Sequence, residues 1–199
     1  MKMKLMIAVP CTDYMHADFV NSLVNLTGRL QRDGINYSVQ IVAGTLVYMA
    51  RNNLACRAVN DGYTHVLWLD SDMVFGDGIV EDLSMCGKDI VCGAFQSRRP
   101  PYSSCIFTSL KPLERVKEYG LEAFRVAACG MACVLVNTEV LKNVLNHYGN
   151  CFTPMGEYGE DLAFCVRAAS MGAEIWCEPT VRVGHIAHVP IWPGEEPAR

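Results

Sequence analysis

The chain lacks any run of lysine and arginine residues of the kind that binds nucleic acid. Its formal net charge is -4 at pH 7. Since basic contacts to phosphates supply most of the affinity for nucleic acids, we exclude a nucleic acid as the main partner. The chain also lacks an apolar stretch of the roughly 20 residues that a transmembrane helix needs, which predicts no integral membrane segment.

Several sequence motifs are absent as well. No G-x-G-x-x-G follows the first expected strand and no G-x-x-x-x-G-K-[ST] occurs, which disfavours a dinucleotide oxidoreductase and a P-loop NTPase. No C-x-x-C pair occurs among the ten cysteines, which disfavours a zinc ribbon or a thioredoxin-type site. Most of these cysteines lie in apolar runs, where a free thiol behaves as a small hydrophobic group, and a reducing cytoplasm is the expected location.

One stretch combines a buried strand with two carboxylates. Residues 66–69 are apolar and suit a central strand of an α/β sheet, and Asp70 and Asp72 follow directly. If the chain stays extended past Leu69, both aspartates point to one side and Ser71 to the other. Such a pair at the carboxyl end of a strand favours a divalent cation, Mn²⁺ or Mg²⁺. A solvated acidic turn is the alternative.

The rest of the chain predicts a single α/β domain, with a mostly parallel central sheet and helices on both faces. Strands are expected at residues 4–9, 37–42, 66–69, 89–95, 102–107, 122–128, 130–136 and 173–177. Helices are expected at residues 13–33, 46–59, 76–85, 138–148 and 156–169. Residues 96–102 are expected to form a loop, either one that moves over a bound ligand or a solvated surface turn.

Two acidic residues, Glu160 and Asp161, lie near the start of the last expected helix. Either they stabilise the helix N-terminus through its dipole, or a carboxylate here serves as a general base in the same pocket. Further on, His185 and His188 are close in sequence. One of them completing an octahedral metal site with Asp72 and phosphate oxygens is chemically sensible.

Taken together, these segments resemble the GT-A class of nucleotide-sugar-dependent glycosyltransferases, closest to the family-2-like type. The resemblance rests on the order of six motifs: Val9-Pro10-Cys11-Thr12, Ala50-Arg51-Asn52, Trp68-Leu69-Asp70-Ser71-Asp72, Cys129-Gly130-Met131-Ala132-Cys133, Gly159-Glu160-Asp161-Leu162 and the late His185. It implies one Rossmann-like GT-A domain over residues 1–199, with donor binding in 1–95 and acceptor binding and catalysis in 96–199. The usual C-terminal acceptor-binding extension is missing, which leaves the acceptor open.

The resemblance also implies roles for individual residues. Pro10 and Thr12 would border the nucleoside, and Arg51 would lie near the pyrophosphate. Asp70 would contact the ribose or a water on the metal, with Ser71 beside it in the donor site. The implied metal ligands, for Mn²⁺ or Mg²⁺, are in chain order Asp70, Asp72 and His185.

The implied reaction moves a sugar from a nucleoside diphosphate sugar, with uridine favoured and guanosine next, to an acceptor hydroxyl. Asp161 would be the base of an inverting enzyme, with Glu160 as a second catalytic candidate. The acceptor is a glycan, a lipid-linked saccharide or a protein, and both retention and a homo-oligomer stay open. A non-catalytic nucleotide- or carbohydrate-binding module and a nucleotidyltransferase are the alternatives, although the phosphate loop of the latter is not found near the N-terminus.

Overall fold

Three parallel strands and two helices alternate at the start of the chain. The computed structural model describes residues 3–187. Its first elements are β1 (Lys4–Pro10), α1 (Ala17–Arg32), β2 (Asn36–Val42), α2 (Val47–Asn60) and β3 (His65–Leu69). β1 lies between β2 and β3 and runs parallel to both. The connection from β1 to β2 runs in one direction along the sheet, and the connection from β2 to β3 runs back past β1. Because both connections are right-handed, α1 and α2 lie on opposite faces of the sheet.

Nine short strands and three helices complete the described part of the chain. They are β4 (Met73–Val74), α3 (Ile79–Met85), β5 (Ile90–Ala94), β6 (Ile106–Leu110), β7 (Leu113–Arg115), β8 (Phe124–Val126), β9 (Ala128–Cys129), β10 (Cys133–Asn137), α4 (Thr138–Tyr148), α5 (Glu160–Ser170), β11 (Ile175–Arg182) and β12 (Gly184–His185). The main sheet has the order β2-β1-β3-β10-β5-β11-β8. Only β10 and β8 run antiparallel to their neighbours in it. The predicted α/β class with a mostly parallel sheet is therefore confirmed.

The strands at the centre of the sheet are buried on both faces. Every residue of β5 is buried, and Val66, Leu67, Trp68 and Leu69 of β3 are fully enclosed. Such continuous apolar runs are what helices on both faces of a parallel sheet require. Next to Trp68, the ring of Phe152 packs edge-on at a centroid distance of 4.9 Å. This packing positions the end of β3, after which the acidic residues begin.

The second half of the chain departs most from the sequence-based expectations. The strand expected at 102–107 begins only at Ile106, because residues 97–103 turn back on themselves through a hydrogen bond from the Ser97 amide to the Ser103 carbonyl. The strand expected at 122–128 is split into β8 and β9, which pair with β11 and β6 respectively in different sheets. The strand expected at 130–136 starts only at Cys133.

The strand β11, which is the last strand of the main sheet in chain order, is longer than predicted. β11 continues past residue 177 to Arg182, although it contains Pro179. The pairing of β11 with β5 shifts register between Glu178 and Arg182, so the missing amide hydrogen of the proline falls in an irregularity of the ladder. At this point β5 and β11 lie so close together that a Cβ on Gly93 would be only 2.9 Å from the Val181 carbonyl oxygen. Beyond this irregularity, β11 runs on to the edge of the sheet where β1 and β3 end.

Candidate active site

A cavity of about 300 Å³ lies at the edge of the sheet where β1 and β3 end. All five residues that the sequence predicts to bind the donor line it: Pro10, Thr12, Arg51, Asp70 and Ser71. Ligands of open α/β sheets bind at this edge, because the loops that follow the strands converge there. The cavity is therefore the candidate donor site.

The residues Asp70, Ser71 and Asp72 form a turn and do not continue β3. The strand ends at Leu69, and the Met73 amide donates to the Asp70 carbonyl at 3.2 Å. The expectation of an extended chain past Leu69, with both aspartates on one side, is wrong for this reason. The turn directs the two carboxylates to different partners.

Asp70 belongs to a buried ionic cluster centred on Arg51, whose residue is only 2% exposed. The two terminal nitrogens of the guanidinium donate to Asp70 Oδ1 at 2.6 Å and to Glu160 Oε1 at 2.5 Å. Burial lowers the pKa of Arg51, but the nearby charges of Asp70, Glu160 and Asp161 outweigh this and raise it. The cation thus stays charged and ties α2, the end of β3 and the first turn of α5 together.

Asp72 lies against His185 from the far end of the described chain. A two-stranded ribbon of β4 and β12 brings them together by placing His185 opposite Met73, while the Ile186 amide donates to the Asp72 carbonyl at 2.9 Å. His185 Nδ1 is 2.9 Å from the carbonyl oxygen of Gln96, which can only accept. Nδ1 therefore carries the proton, and Nε2 faces Asp72 Oδ2 at 3.3 Å.

These contacts shift both titrating groups of the pair. In the imidazolium form Nε2 also carries a proton and donates it to Asp72 Oδ2, which raises the pKa of His185, while burial opposes this. Burial raises the pKa of Asp72, but the hydrogen bond and charge of His185 and the charge of Arg98 outweigh it and lower the net value. Asp72 is therefore a firmly ionised carboxylate at the mouth of the cavity.

The pair of Asp72 and His185 fits a divalent cation in its chemistry and its spacing. Adjacent ligands of an octahedral ion with bonds of about 2.1 Å lie about 3 Å apart, which is close to the 3.3 Å between Oδ2 and Nε2. Carboxylate oxygen and imidazole nitrogen both suit Mn²⁺. Over residues 3–187, no group of three or more His, Cys, Asp or Glu side chains is arranged to hold a metal, and Asp70 pairs with Arg51. The remaining ligands would be substrate phosphates and water.

A guanidinium that the sequence did not assign to the site lies at the Asp72 carboxylate as well. The Arg98 guanidinium contacts Asp72 Oδ2, the oxygen that also faces His185. Arg98 comes from the loop at 96–102, which the paired arginines had marked as a candidate ligand loop. Nothing in the sequence indicated that the Gln96 carbonyl accepts a hydrogen bond from His185, because a backbone atom leaves no signal there.

Asp161 occupies an electrostatically mixed position in the first turn of α5. Its Oδ1 accepts a hydrogen bond from the Leu162 amide at 2.8 Å. Burial and the neighbouring charge of Glu160 raise its pKa, against the opposing effect of Arg51. The adjacent Glu160 is among the residues that line the 300 Å³ cavity, and Asp161 is not. A carboxyl group with a raised pKa, such as that of Asp161, has the affinity for protons that a general base needs.

Two more cavities lie next to the pair of Asp72 and His185. One of about 440 Å³ is lined by Arg98, His185 and Gln96 among others, and a neighbouring one of about 920 Å³ is lined by Gln96, Tyr102 and Tyr119 among others. His188, the alternative late ligand, lies outside the described residues. Among the described helices, none is both long and apolar enough to cross a membrane.

No family model and no curated protein matches this chain. Solved structures do match it. The crystal structure of A197 from STIV has a TM-score of 0.65 and 17% identity over 94% of this chain and 87% of that one. GalNAc-T7, solved with UDP, GalNAc and Mn²⁺, has a TM-score of 0.61 and 13% identity over 98% of this chain, which spans only 45% of the GalNAc-T7 chain. These similarities establish a GT-A-like fold and no activity.

Proposed function

We propose that the protein is a metal-dependent glycosyltransferase that uses a nucleoside diphosphate sugar, with UDP as the favoured nucleotide. The observation that carries the proposal is the approach of Asp72 Oδ2 and His185 Nε2 to 3.3 Å beside the donor cavity. The two residues are far apart in sequence, so this approach needs the whole fold. The solved GalNAc-T7 structure with UDP and Mn²⁺ has the same fold and adds support.

The donor would bind in the cavity at the ends of β1 and β3, within the half of the chain that covers residues 1–95. Pro10 and Thr12 would border the nucleoside, and Asp70 and Ser71 the ribose. Arg51 is buried between Asp70 and Glu160, so its main contribution would be to hold the ribose-binding carboxylate in place. Bound between Asp72 and His185, Mn²⁺ or Mg²⁺ would supply positive charge to the diphosphate leaving group.

In the reaction, the oxygen of an acceptor hydroxyl forms a bond to the anomeric carbon while the bond from that carbon to the diphosphate oxygen breaks. The proton of the hydroxyl passes to the Asp161 carboxylate, and the nucleoside diphosphate leaves with the bonding electrons. Attack opposite to the leaving group inverts the anomeric centre. The raised pKa of Asp161 supports its role as the base, and Glu160, held by Arg51, is the second candidate.

One observation favours a binding module without turnover. Arg98 already places a positive charge at the Asp72 carboxylate, as a metal would, and His185 adds a second one when it is protonated. A module of this kind would bind a nucleotide or carbohydrate and would release no nucleoside diphosphate. Turnover therefore separates the two functions.

The test is the release of nucleoside diphosphate from UDP-sugars and GDP-sugars, each incubated with the protein and Mn²⁺ or with a chelator. Many transferases hydrolyse their donor slowly, because water can replace the acceptor. We expect release from one nucleotide class, dependent on metal and strongly reduced in Asp72→Asn and Asp161→Asn. Asp61→Asn, the same chemical change at the exposed end of α2, is the matched control and should retain activity.

Two results would contradict the proposal. Equal release by the wild type and Asp72→Asn would place the activity elsewhere or in a contaminant. Metal-dependent nucleotide binding without any release, across the whole panel, would favour the binding module.

A further inference from the structure

A continuous series of cavities leads away from the Asp72 and His185 pair. Arg98 lines both the donor cavity and the cavity of about 440 Å³. Gln96, Tyr102 and Tyr119 line that cavity and also a neighbouring one of about 920 Å³. The cavities of about 440 and 920 Å³ together form what we call the outer groove. Through the hydrogen bond from His185 to the Gln96 carbonyl, its inner wall is anchored to the candidate metal site.

Tyr102 is an unusual residue at the boundary between the two cavities. Its φ is 54°, and it is the one non-glycine residue with positive φ in the described chain. Bulky side chains rarely adopt this backbone conformation, and such outliers concentrate at ligand sites. Its aromatic side chain is nevertheless 51% exposed, so packing in the protein core does not explain why a tyrosine stands there.

Part of the wall of the outer groove is held in place by hydrogen bonds. The hydroxyl groups of Tyr119 and Ser104 lie 2.6 Å apart, and Ser104 is buried. Arg115 donates to the Ser104 carbonyl at 2.5 Å and stacks over the Phe107 ring at 4.5 Å from its centroid. Tyr119 and Arg115 are therefore positioned before any ligand arrives, which lowers the entropic cost of binding.

The chemistry of the lining narrows the class of ligand. Of the residues that line the 920 Å³ cavity, only Leu113 and Val116 are aliphatic, which does not suit a lipid chain. The charged residues comprise two acidic and two basic side chains, which does not suit a strongly charged polymer. Three aromatic side chains and four uncharged polar side chains make up the rest. Aromatic faces surrounded by polar groups suit a ligand with apolar C–H faces and many hydroxyl groups.

We propose that the outer groove binds the acceptor and that the acceptor is a saccharide, with a sugar ring packed on Tyr102. The assignment of the bound saccharide as an acceptor rests on the proposed function. Binding of a saccharide to the groove can be measured without turnover. A terminal sugar in the 440 Å³ cavity would lie beside Arg98 and His185, with the remaining sugars in the larger cavity.

The test is saturation-transfer NMR of the full chain with four soluble trisaccharides: cellotriose, maltotriose, chitotriose and α-mannotriose. An unglycosylated peptide rich in serine and threonine is the comparison ligand. Tyr102→Gly removes the ring at a position where positive φ suits glycine, so the variant should melt no lower than the wild type. Tyr102→Phe keeps the ring, and Tyr148→Ala removes a partly exposed tyrosine from α4 as the matched control.

We expect at least one trisaccharide to bind the wild type and Tyr102→Phe. Its affinity should fall by about tenfold or more in Tyr102→Gly, as is usual for an aromatic anchor, and should be unchanged in Tyr148→Ala. No binding of any trisaccharide, equal binding by Tyr102→Gly, or binding of the peptide alone would each overturn the inference.

Calorimetry with UDP and Mn²⁺ on the same samples separates this inference from the proposed function. Nucleotide binding without saccharide binding overturns the assignment of the groove and leaves the proposed function standing. Saccharide binding without binding of any nucleotide supports the groove as a saccharide site and counts against the transferase.

Discussion

Asp161 and Glu160 are adjacent acids in one helical turn, and the structure predicts opposite consequences for their removal. Replacing Asp161 with Asn keeps an oxygen that can accept from the Leu162 amide at 2.8 Å, but removes the negative charge. Replacing Glu160 with Gln weakens its hydrogen bond to the buried Arg51. We expect Asp161→Asn to stabilise the protein at pH 7 and Glu160→Gln to destabilise it.

The sign for Asp161 follows from its raised pKa. Burial and Glu160 raise this pKa above the ordinary value of 3.8, so the folded state binds the proton more tightly than the unfolded state. The folded protein therefore loses stability as the pH rises through the raised pKa, and at pH 7 the ionised carboxylate carries the full cost. A pKa raised by one unit corresponds to about 1.4 kcal/mol, or about 3 to 6 °C in melting temperature for a chain of this size.

Thermal unfolding at a series of pH values measures the effect. The advantage of Asp161→Asn should be present at pH 7 and disappear as the pH falls below 3.8, where Asp161 is protonated in both states. Glu160→Gln should lose about 1.5 to 3 kcal/mol of the free energy of unfolding at pH 7, the range for a hydrogen bond to a charged group. If Asp161→Asn were instead less stable at pH 7, Asp161 would be a helix-capping charge, and the reasoning for its role as a base would fail.

Three further predictions concern the same edge of the sheet. Arg51→Met should cost about 3 to 5 kcal/mol in urea unfolding, because it leaves Asp70 and Glu160 without their buried cation; a loss within 1 kcal/mol or so would contradict the cluster. Arg98→Ala should raise the affinity for Mn²⁺ alone, measured by paramagnetic relaxation of water, because Arg98 occupies the Asp72 oxygen; a lower affinity would refute this competition. Gly93→Ala should lower the melting temperature, since its Cβ would meet the Val181 carbonyl at 2.9 Å; an unchanged value would contradict the close approach.

The regular part of the fold was predictable because its signals are local. β1, α2 and β3 follow from apolar runs and from helix-ending pairs such as Asp61-Gly62, and they lie where the sequence predicts them to within two residues. The strand expected at 102–107 fails because β-propensity depends on the neighbours that a strand finds. Tyr102 and its neighbours have no strand partner among the described residues and form a turn, and the pairing of β6 starts only at Ile106.

The sequence predicted which residues lie at this edge of the sheet, but it did not predict the contacts that they make. Charged and polar side chains at the end of a predicted strand marked Asp70 and Asp72, since such positions meet at one edge of a sheet. Their separate partners depend on a turn after Leu69 and on the ribbon between β4 and β12. Both features are too short for any periodicity to reveal. The guanidinium of Arg98 at Asp72 likewise depends on the folded course of a loop.

The most direct test of the account is calorimetric titration of the protein with UDP, with GDP as comparator, each in the presence of Mn²⁺ and of a chelator. We expect one nucleotide to bind only with the metal, and we expect this binding to be lost in Asp72→Asn and His185→Ala but kept in Asp61→Asn. Binding of neither nucleotide by the folded wild type, or metal-dependent binding that survives both substitutions, would contradict this expectation.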